Sequence, residues 1–507
     1  MQYITNGIRH EVSLEPILRA AERVAPAGGR GPAVGGPRVP SLVGGLRATD
    51  PLATRFASLD EQRMFVVRPA KSQARTRDAL IIATDSVVVE GAKRADIQWA
   101  IDTFGASVVE EGQEGKLLLR APGEGERSVA KAFDLALQLH ERGVGAAHPN
   151  FVRALPQIRP APAATNPHWA HTMIGVPTAW KTTKGKASIR VAVLDEGVDT
   201  GHPALAPAVV LERDFIGTKG SSAMPDNDDA HGTASAGIIV SRNATWPGIA
   251  PRVRLIAARI AMGDGNHHWV FDDFKTADAI DWCWRNGADV LSNSWGGGPP
   301  VDVITRAFER ARTLGRNGLG AVVVVAAGNS ESAIQYPATL PGVLAVGASN
   351  EYEERKTRRS RDGETWWGSN EGRNLALLAP GVHIGTADIS GARGYDPGDF
   401  TPTFNGTSAA TPHVAATAAL ILSVAPTLTA LQVRGIVMDT AHMLTGQTGW
   451  TSKLGHGRLD VAAAVAASKS PPPSTTGVDT ASERPRHRAR RHRTSTRRKR
   501  ARRKARV

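Results

Sequence analysis

The sequence predicts an α/β protein whose main domain is a three-layer structure, a parallel sheet with helices on both faces, preceded by a small α+β domain of ferredoxin-like type. Three observations carry this reading. Five continuous apolar runs, IRVAVLD (189 to 195), RLIAARI (254 to 260), ADVLSNS (288 to 294), AVVVVAA (321 to 327) and VLAVGAS (343 to 349), are separated by helical stretches. Strands buried on both faces and spaced by helices make a parallel sheet. Ahead of them, between about residues 83 and 155, the pattern runs β-α-β-β-α-β, the split βαβ motif.

Taken in order, residues 1 to 75 are rich in Gly, Pro, Ala and Arg (APAGGRGPAVGGPRVP) and read as a mobile leader. The small domain follows as strand DSVVVEG, helix KRADIQWAIDTFG, strands ASVVEEG and KLLLRAP, helix RSVAKAFDLALQLHERG and strand VGAAHPNFVRAL. Residues 156 to 167 (PQIRPAPAATNP) read as a linker, and the main domain extends over about 165 to 468. Its helices include HGTASAGIIV, FDDFKTADAIDWCWRNG and VITRAFERARTLGRNG. Residues 469 to 507 cannot build a core and read as a disordered tail, Pro/Ser-rich and then Arg-rich.

The net charge of +14 is local. Residues 484 to 507 hold 14 Lys or Arg and no acid, so the rest of the 507-residue chain is neutral. Such a polycation binds nucleic acid or anionic surfaces with strong salt dependence and little sequence choice. It interleaves no aromatics, which argues against base stacking. Cys283 is the only cysteine, so no internal disulfide forms, and its setting reads as a buried helix face. No basic segment followed by an apolar run opens the chain, and no stretch of about 18 apolar residues appears. The expectation is a soluble protein, cytoplasmic or exported by an unrecognised route.

Four polar side chains stand where elements end. Asp195 closes the first strand of the sheet, His231 opens HGTASAGIIV, Asn329 follows AVVVVAAG, and Ser408 in FNGTSAATPHVA opens a long apolar helix. In open parallel sheets, ligands bind outside the carboxyl ends of the strands. A serine at a helix N-terminus commonly caps the helix, but there it also meets N–H groups able to stabilise an oxyanion. Taken singly each residue has an ordinary turn or cap role; the combination does not.

In that combination the chain resembles the subtilisin-like serine proteases, or subtilases, over about 300 residues. The motifs are VAVLDEGVDTGHPAL, HGTASAGI, VVVAAGNS and NGTSAATPHVA, in the family's order Asp, His, Asn, Ser. The resemblance implies a serine endopeptidase with Asp195, His231 and Ser408 as triad, and Asn329 with the Ser408 N–H as oxyanion hole. It implies that Ser294, Trp295 and Gly296 of LSNSWGG pair with an extended substrate. It further implies that residues 83 to 155 are a prodomain inhibiting the enzyme until cut away near 156 to 167. The order Asp, His, Ser excludes α/β-hydrolases, and His231 excludes relatives with Glu in that place.

Three positions depart from the family's usual pattern. Ala409 stands where Met is frequent beside the nucleophile, and Ala234 where a second His is frequent. Glu196, where small or hydroxyl residues are common, resembles the acid of the kexin-like branch and is expected to meet basic substrate side chains. Calcium, bound by many subtilases, is unassigned; the acidic turn PDNDDA (225 to 230) lacks regular oxygen-ligand spacing.

Overall fold

The computed structural model describes residues 1–16, 65–69, 80–156, 168–217, 222–226, 228–263 and 268–470. Most of the leader, residues 157 to 167 of the linker and the basic tail lie outside the described residues.

The mobile leader expected over residues 1 to 75 fails at its start. Strands β1 (Gln2–Thr5) and β2 (Ile8–Pro16) form an antiparallel hairpin. Its turn is Asn6-Gly7, both at positive φ (+48° and +71°), as a two-residue hairpin turn requires. Averaging composition over 75 residues hid this local signal, since the Gly/Pro-rich stretch begins only after residue 24. β2 pairs with β3 (Phe65–Pro69), and β3 with the first half of β4 (Leu80–Glu90).

The β-α-β-β-α-β unit runs from β4 through α1 (Arg94–Phe104), β5 (Ser107–Glu111), β6 (Leu117–Arg120) and α2 (Gly125–Glu141) to β7 (Ala146–Pro156). The spatial order is β5-β6-β4-β7.

The main domain is a seven-stranded sheet ordered β16-β15-β14-β13-β8-β10-β9, every pair parallel. Its strands are β8 (Arg190–Asp195), β9 (Val209–Asp214), β10 (Arg254–Arg259), β13 (Val290–Asn293), β14 (Val322–Ala326), β15 (Leu344–Ser349) and β16 (Leu375–Pro380). Side chains alternate between two cores, as strand geometry demands. Val191, Val193, Val322 and Val324 pack beneath α3 (His231–Val240) and α6 (Thr407–Val424). Ala192, Leu194, Val323 and Val325 meet α4 (Asp273–Arg285) and α5 (Asp302–Leu314) on the opposite face. α6 has the length and hydropathy of a membrane span, but 94% of it is buried inside the protein.

The small domain is not separate. β7 pairs antiparallel with β12 (His268–Asp272), which pairs with β11 (Ala261–Gly263), so a nine-stranded sheet joins both parts. Val88, Leu118 and Phe151 share one apolar core with Phe274, Ala277 and Phe308. All described residues fall in one compact unit.

Charge holds the same interface. Lys116, fully buried, contacts Asp281 at 2.5 Å and Asp278 at 3.8 Å, and Arg310 joins Asp281 (2.7 Å) to Glu90 (2.9 Å). Arg153 pairs with Asp273 at 2.6 Å, and the Asn6 N–H donates to Asp302 at 2.7 Å. Burial alone would raise Asp281, but the Arg310 hydrogen bond and the Lys116 charge outweigh it and hold its carboxyl below the usual range. Its stabilisation is therefore present above its unfolded pKa and lost as pH falls through the folded value.

Removing one partner of a buried pair strands the other charge. Lys116→Ala, made in a Ser408→Ala chain, should lower unfolding stability by about 3 kcal/mol. Calorimetry should show the deficit near neutral pH and its shrinkage in acid, where Asp281 is protonated in both states.

Candidate active site

The chain runs from β8 toward β10 and β9 on one side of the sheet and from β13 toward β16 on the other, so the order reverses between β8 and β13. A crevice opens at the carboxyl ends of strands at such a point. Asp195 ends β8, Ser294 follows β13, and Asn329 follows β14 by three residues.

Asp195 is 1% exposed, and both its carboxylate oxygens face His231 Nδ1, at 3.0 and 3.2 Å. This fixes Nδ1 as the protonated nitrogen and leaves Nε2 basic. Helix α3 must lie almost against Asp195 for that contact. Gly232 permits it, because a Cβ there would fall 1.9 Å from the Gly197 carbonyl oxygen and 2.9 Å from Asp195 Cβ. The imidazole is flanked edge-to-face by Trp269 at 4.3 Å and Phe404 at 5.1 Å between ring centroids.

Ser408 is the second residue of α6. Pro412, one turn on, has no N–H for the Ser408 carbonyl, which instead accepts from Ser294 Oγ at 2.9 Å. In return, Ser408 Oγ donates to the Ser294 carbonyl at 3.1 Å. Transfer of that proton to His231 therefore requires the hydroxyl to give up this bond to Ser294.

Two donors are left over. Asn329 Oδ1 accepts from the Thr407 N–H (2.8 Å) and hydroxyl (2.9 Å), which leaves its NH₂ group without a partner among the described residues. In the first turn of α6 the Ala409 and Ala410 N–H groups bond to the Gly406 carbonyl, and the Ser408 N–H has no partner among the described residues. His231, Ser294, Trp295, Gly296, Asn329, Thr407 and Ser408 line one cleft. Trp295 contributes backbone, since its ring packs on Phe271 and Phe308.

Leu155, near the end of β7, lines that cleft too, and its Cδ2 occupies the place a side chain on residue 297 would need. Arg153 anchors the strand by donating to the Gly297 (2.7 Å) and Pro299 (2.9 Å) carbonyls. Sequence reasoning missed β12, Thr407 and Leu155 as cleft elements. Only the aromatic, β-branched run HWVF offered a signal for β12.

The expectation that Glu196 meets substrate is not met. Glu196 is 1% exposed, does not line the cleft, and accepts the His231 backbone N–H at 2.7 Å. Burial first, then the charges of Asp229 and Asp195, push its pKa well above the usual carboxylate range. A carboxyl that resists ionisation and solvent cannot select basic residues.

Two carboxylates of the acidic turn have partners within the protein. Asp226 pairs with the fully buried Arg259, and Asp229 accepts the Gly263 N–H at 3.0 Å. Arg259 thus builds the positive charge into the cluster. Among the described residues, no group of three His, Cys, Asp or Glu side chains is placed to hold an ion. Cys283 is fully buried, and burial raises its thiol pKa.

A buried carboxylate on an imidazole, beside a helix-borne serine and two donors without partners among the described residues, is the arrangement that nucleophilic acyl transfer by a serine hydrolase requires. The chain belongs to the subtilase family, whose profile matches residues 186–457. It is 30% identical over 383 residues to a calcium-dependent protease of Trichormus variabilis, across 66% of this chain and 55% of that protein. It is 33% identical over 293 residues to a subtilisin of Bacillus pumilus, across 55% of this chain and 91% of that one. This chain therefore spans about half the length of the first of these relatives. The crystal structure of fervidolysin from Fervidobacterium pennivorans, a keratinolytic enzyme related to subtilisin, has the same fold: TM-score 0.63, 23% identity, 80% of this chain and 63% of that one.

A fluorophosphonate should label the purified protein at Ser408 and leave Ser408→Ala unlabelled, as peptide mapping would show. Asp195→Asn, which keeps the geometry but offers the wrong tautomer, should slow catalysis by roughly 10⁴.

Proposed function

We propose that this chain is a serine endopeptidase made as a self-inhibited zymogen. The observation that carries the reading is that an extended segment of the chain itself, β7, pairs with β12 and delivers Leu155 into the cleft with His231 and Ser408. A cleft that receives a peptide strand along its backbone suits an enzyme whose substrate is polypeptide.

In the proposed reaction, Ser408 Oγ bonds to the scissile carbonyl carbon as its proton passes to His231 Nε2. The carbonyl π pair moves onto oxygen, facing the Asn329 amide and the Ser408 N–H. Collapse breaks the C–N bond, and His231 gives its proton to the leaving nitrogen. Water then repeats the sequence on the acyl-enzyme, while Asp195 stabilises the imidazolium throughout. Ser294 to Gly296 and β12 hold the substrate as a strand between them. The small domain, with its N-terminal hairpin, acts as intramolecular inhibitor until cleavage near 156 to 167.

The Trichormus variabilis relative is named for calcium; in this chain Asp226 pairs with Arg259 and Asp229 accepts the Gly263 N–H, and no step here uses a metal. The Arg-rich stretch at 484 to 507 adds a salt-sensitive affinity for polyanions, independent of the neutral body.

Intact-mass analysis over time tests the reading. The parent chain should lose an N-terminal fragment ending between about Arg153 and Pro167, and Ser408→Ala should stay whole; equal stability of both chains defeats the zymogen. Asn329→Ala should lower kcat on a quenched peptide by about 10² to 10³, a magnitude that comes from subtilisin itself.

A further inference from the structure

Behind the turn that carries Ser408, four side chains from separate segments meet in a buried polar cluster. Glu351 follows β15, Glu364 lies in the loop before β16, His383 follows β16, and Asn405 stands three residues before Ser408. His383 Nδ1 faces Glu351 Oε1 at 3.1 Å, and Nε2 faces Glu364 Oε1 at 3.3 Å. The same Glu364 oxygen accepts from the Asn405 amide at 2.7 Å. Asn405 Oδ1 in turn accepts the His383 backbone N–H at 2.6 Å, which closes the ring of contacts.

The surroundings hold this ring in place. Glu364 is 1%, Asn405 5% and His383 7% exposed. The Trp367 indole donates to the other Glu364 oxygen, the Trp169 indole to the His383 carbonyl at 3.3 Å, and the Gly406 N–H to the Gly381 carbonyl at 2.8 Å. His383 is held at φ +52°, a conformation that persists in a non-glycine residue only where the structure imposes it. Asn405 also lines the catalytic cleft, so the cluster touches the site from behind.

We infer that His383, Glu364 and Asn405 are positioning residues for the nucleophile: the imidazolium, held between Glu351 and Glu364, keeps Glu364 on Asn405 and so sets the Asn405–Ser408 turn. This rests on the reading of Ser408 as nucleophile. Burial alone would lower the imidazole pKa, but the hydrogen bonds and charges of Glu351 and Glu364 outweigh it and raise His383 to about 9. Around them, Lys356 pairs with Asp362 at 2.9 Å and donates to the Glu364 carbonyl, and Glu353 pairs with Arg458 at 2.8 Å. The helices bearing Trp169 and Ser408 contribute His171 and His413, which burial lowers to about 4 and about 3, so both stay neutral at neutral and alkaline pH. The clamp is complete below the ordinary imidazole pKa and is lost as pH rises through the raised one.

The parent enzyme, produced from the full-length chain, should show an alkaline limb in kcat with a midpoint near 9. Glu364→Gln keeps an acceptor for Asn405 but removes a charge from the ring. It should move that limb down by roughly one to three pH units and leave the acid limb in place. An unchanged alkaline limb overturns the inference. Histidine-selective NMR of the full-length Ser408→Ala chain reads the clamp without activity: His383 should titrate near 9, with the Asn405 amide signal following it. Titration near the ordinary imidazole value, or an Asn405 signal blind to it, also overturns the inference. A chain that cleaves no peptide at any pH defeats the proposed protease, and the NMR arm still decides the clamp.

Discussion

Helix α6 can run through the middle of this molecule because so little along it is large. TSAATPHVAATAALILSV packs against five strands of the main sheet and against α3, and residues 407 to 423 are all buried. Small side chains let backbones approach closely, and dense packing leaves the helix few ways to shift. Its first turn is therefore a fixed point. Thr407 orients Asn329, the Ser408 carbonyl accepts Ser294 Oγ because Pro412 makes no claim on it, and Gly406 bonds to Gly381. A serine nucleophile needs neighbours held to a fraction of an ångström, and this turn is tied to β13, β14 and β16 at once.

The attachment of the small domain is built differently from the cleft that Leu155 reaches. The small domain is attached by shared sheet, shared apolar core and buried ion pairs. Buried pairs contribute little net stability against an apolar alternative, yet breaking one is costly. Lys116, Arg153 and Arg310 thus contribute register more than affinity: they determine which residue of β7 lies opposite Trp269, and that register brings Leu155 to Gly297. A slip of one residue would turn every side chain of β7 to the wrong face.

Much of the fold was legible because its signals are local. A strand buried on both faces must be apolar throughout, so β8, β10, β13, β14 and β15 stand out as runs. The site was legible because its chemistry needs particular residue types at element ends, in an order that four motifs preserve. The hairpin around Asn6-Gly7 was locally encoded as well, but composition over a longer window concealed it. β12 was not legible, because a five-residue strand gives a weak pattern and its partner lies more than 100 residues earlier.

By itself, the sequence determined the parallel sheet, the order and identity of Asp195, His231, Asn329 and Ser408, and the segregation of excess charge to the tail. Each follows from short-range rules: hydrophobic periodicity, turn chemistry and residue type. Only the tertiary structure decided that Glu196 is a buried cap under His231, that Arg259 pairs with Asp226 of the acidic turn, and that Glu351, Glu364, His383 and Asn405 form one cluster. A carboxylate reads the same in sequence whether it faces solvent, a guanidinium or a backbone N–H. What it does is set by dielectric and by neighbours brought from elsewhere in the chain, and only folding supplies those.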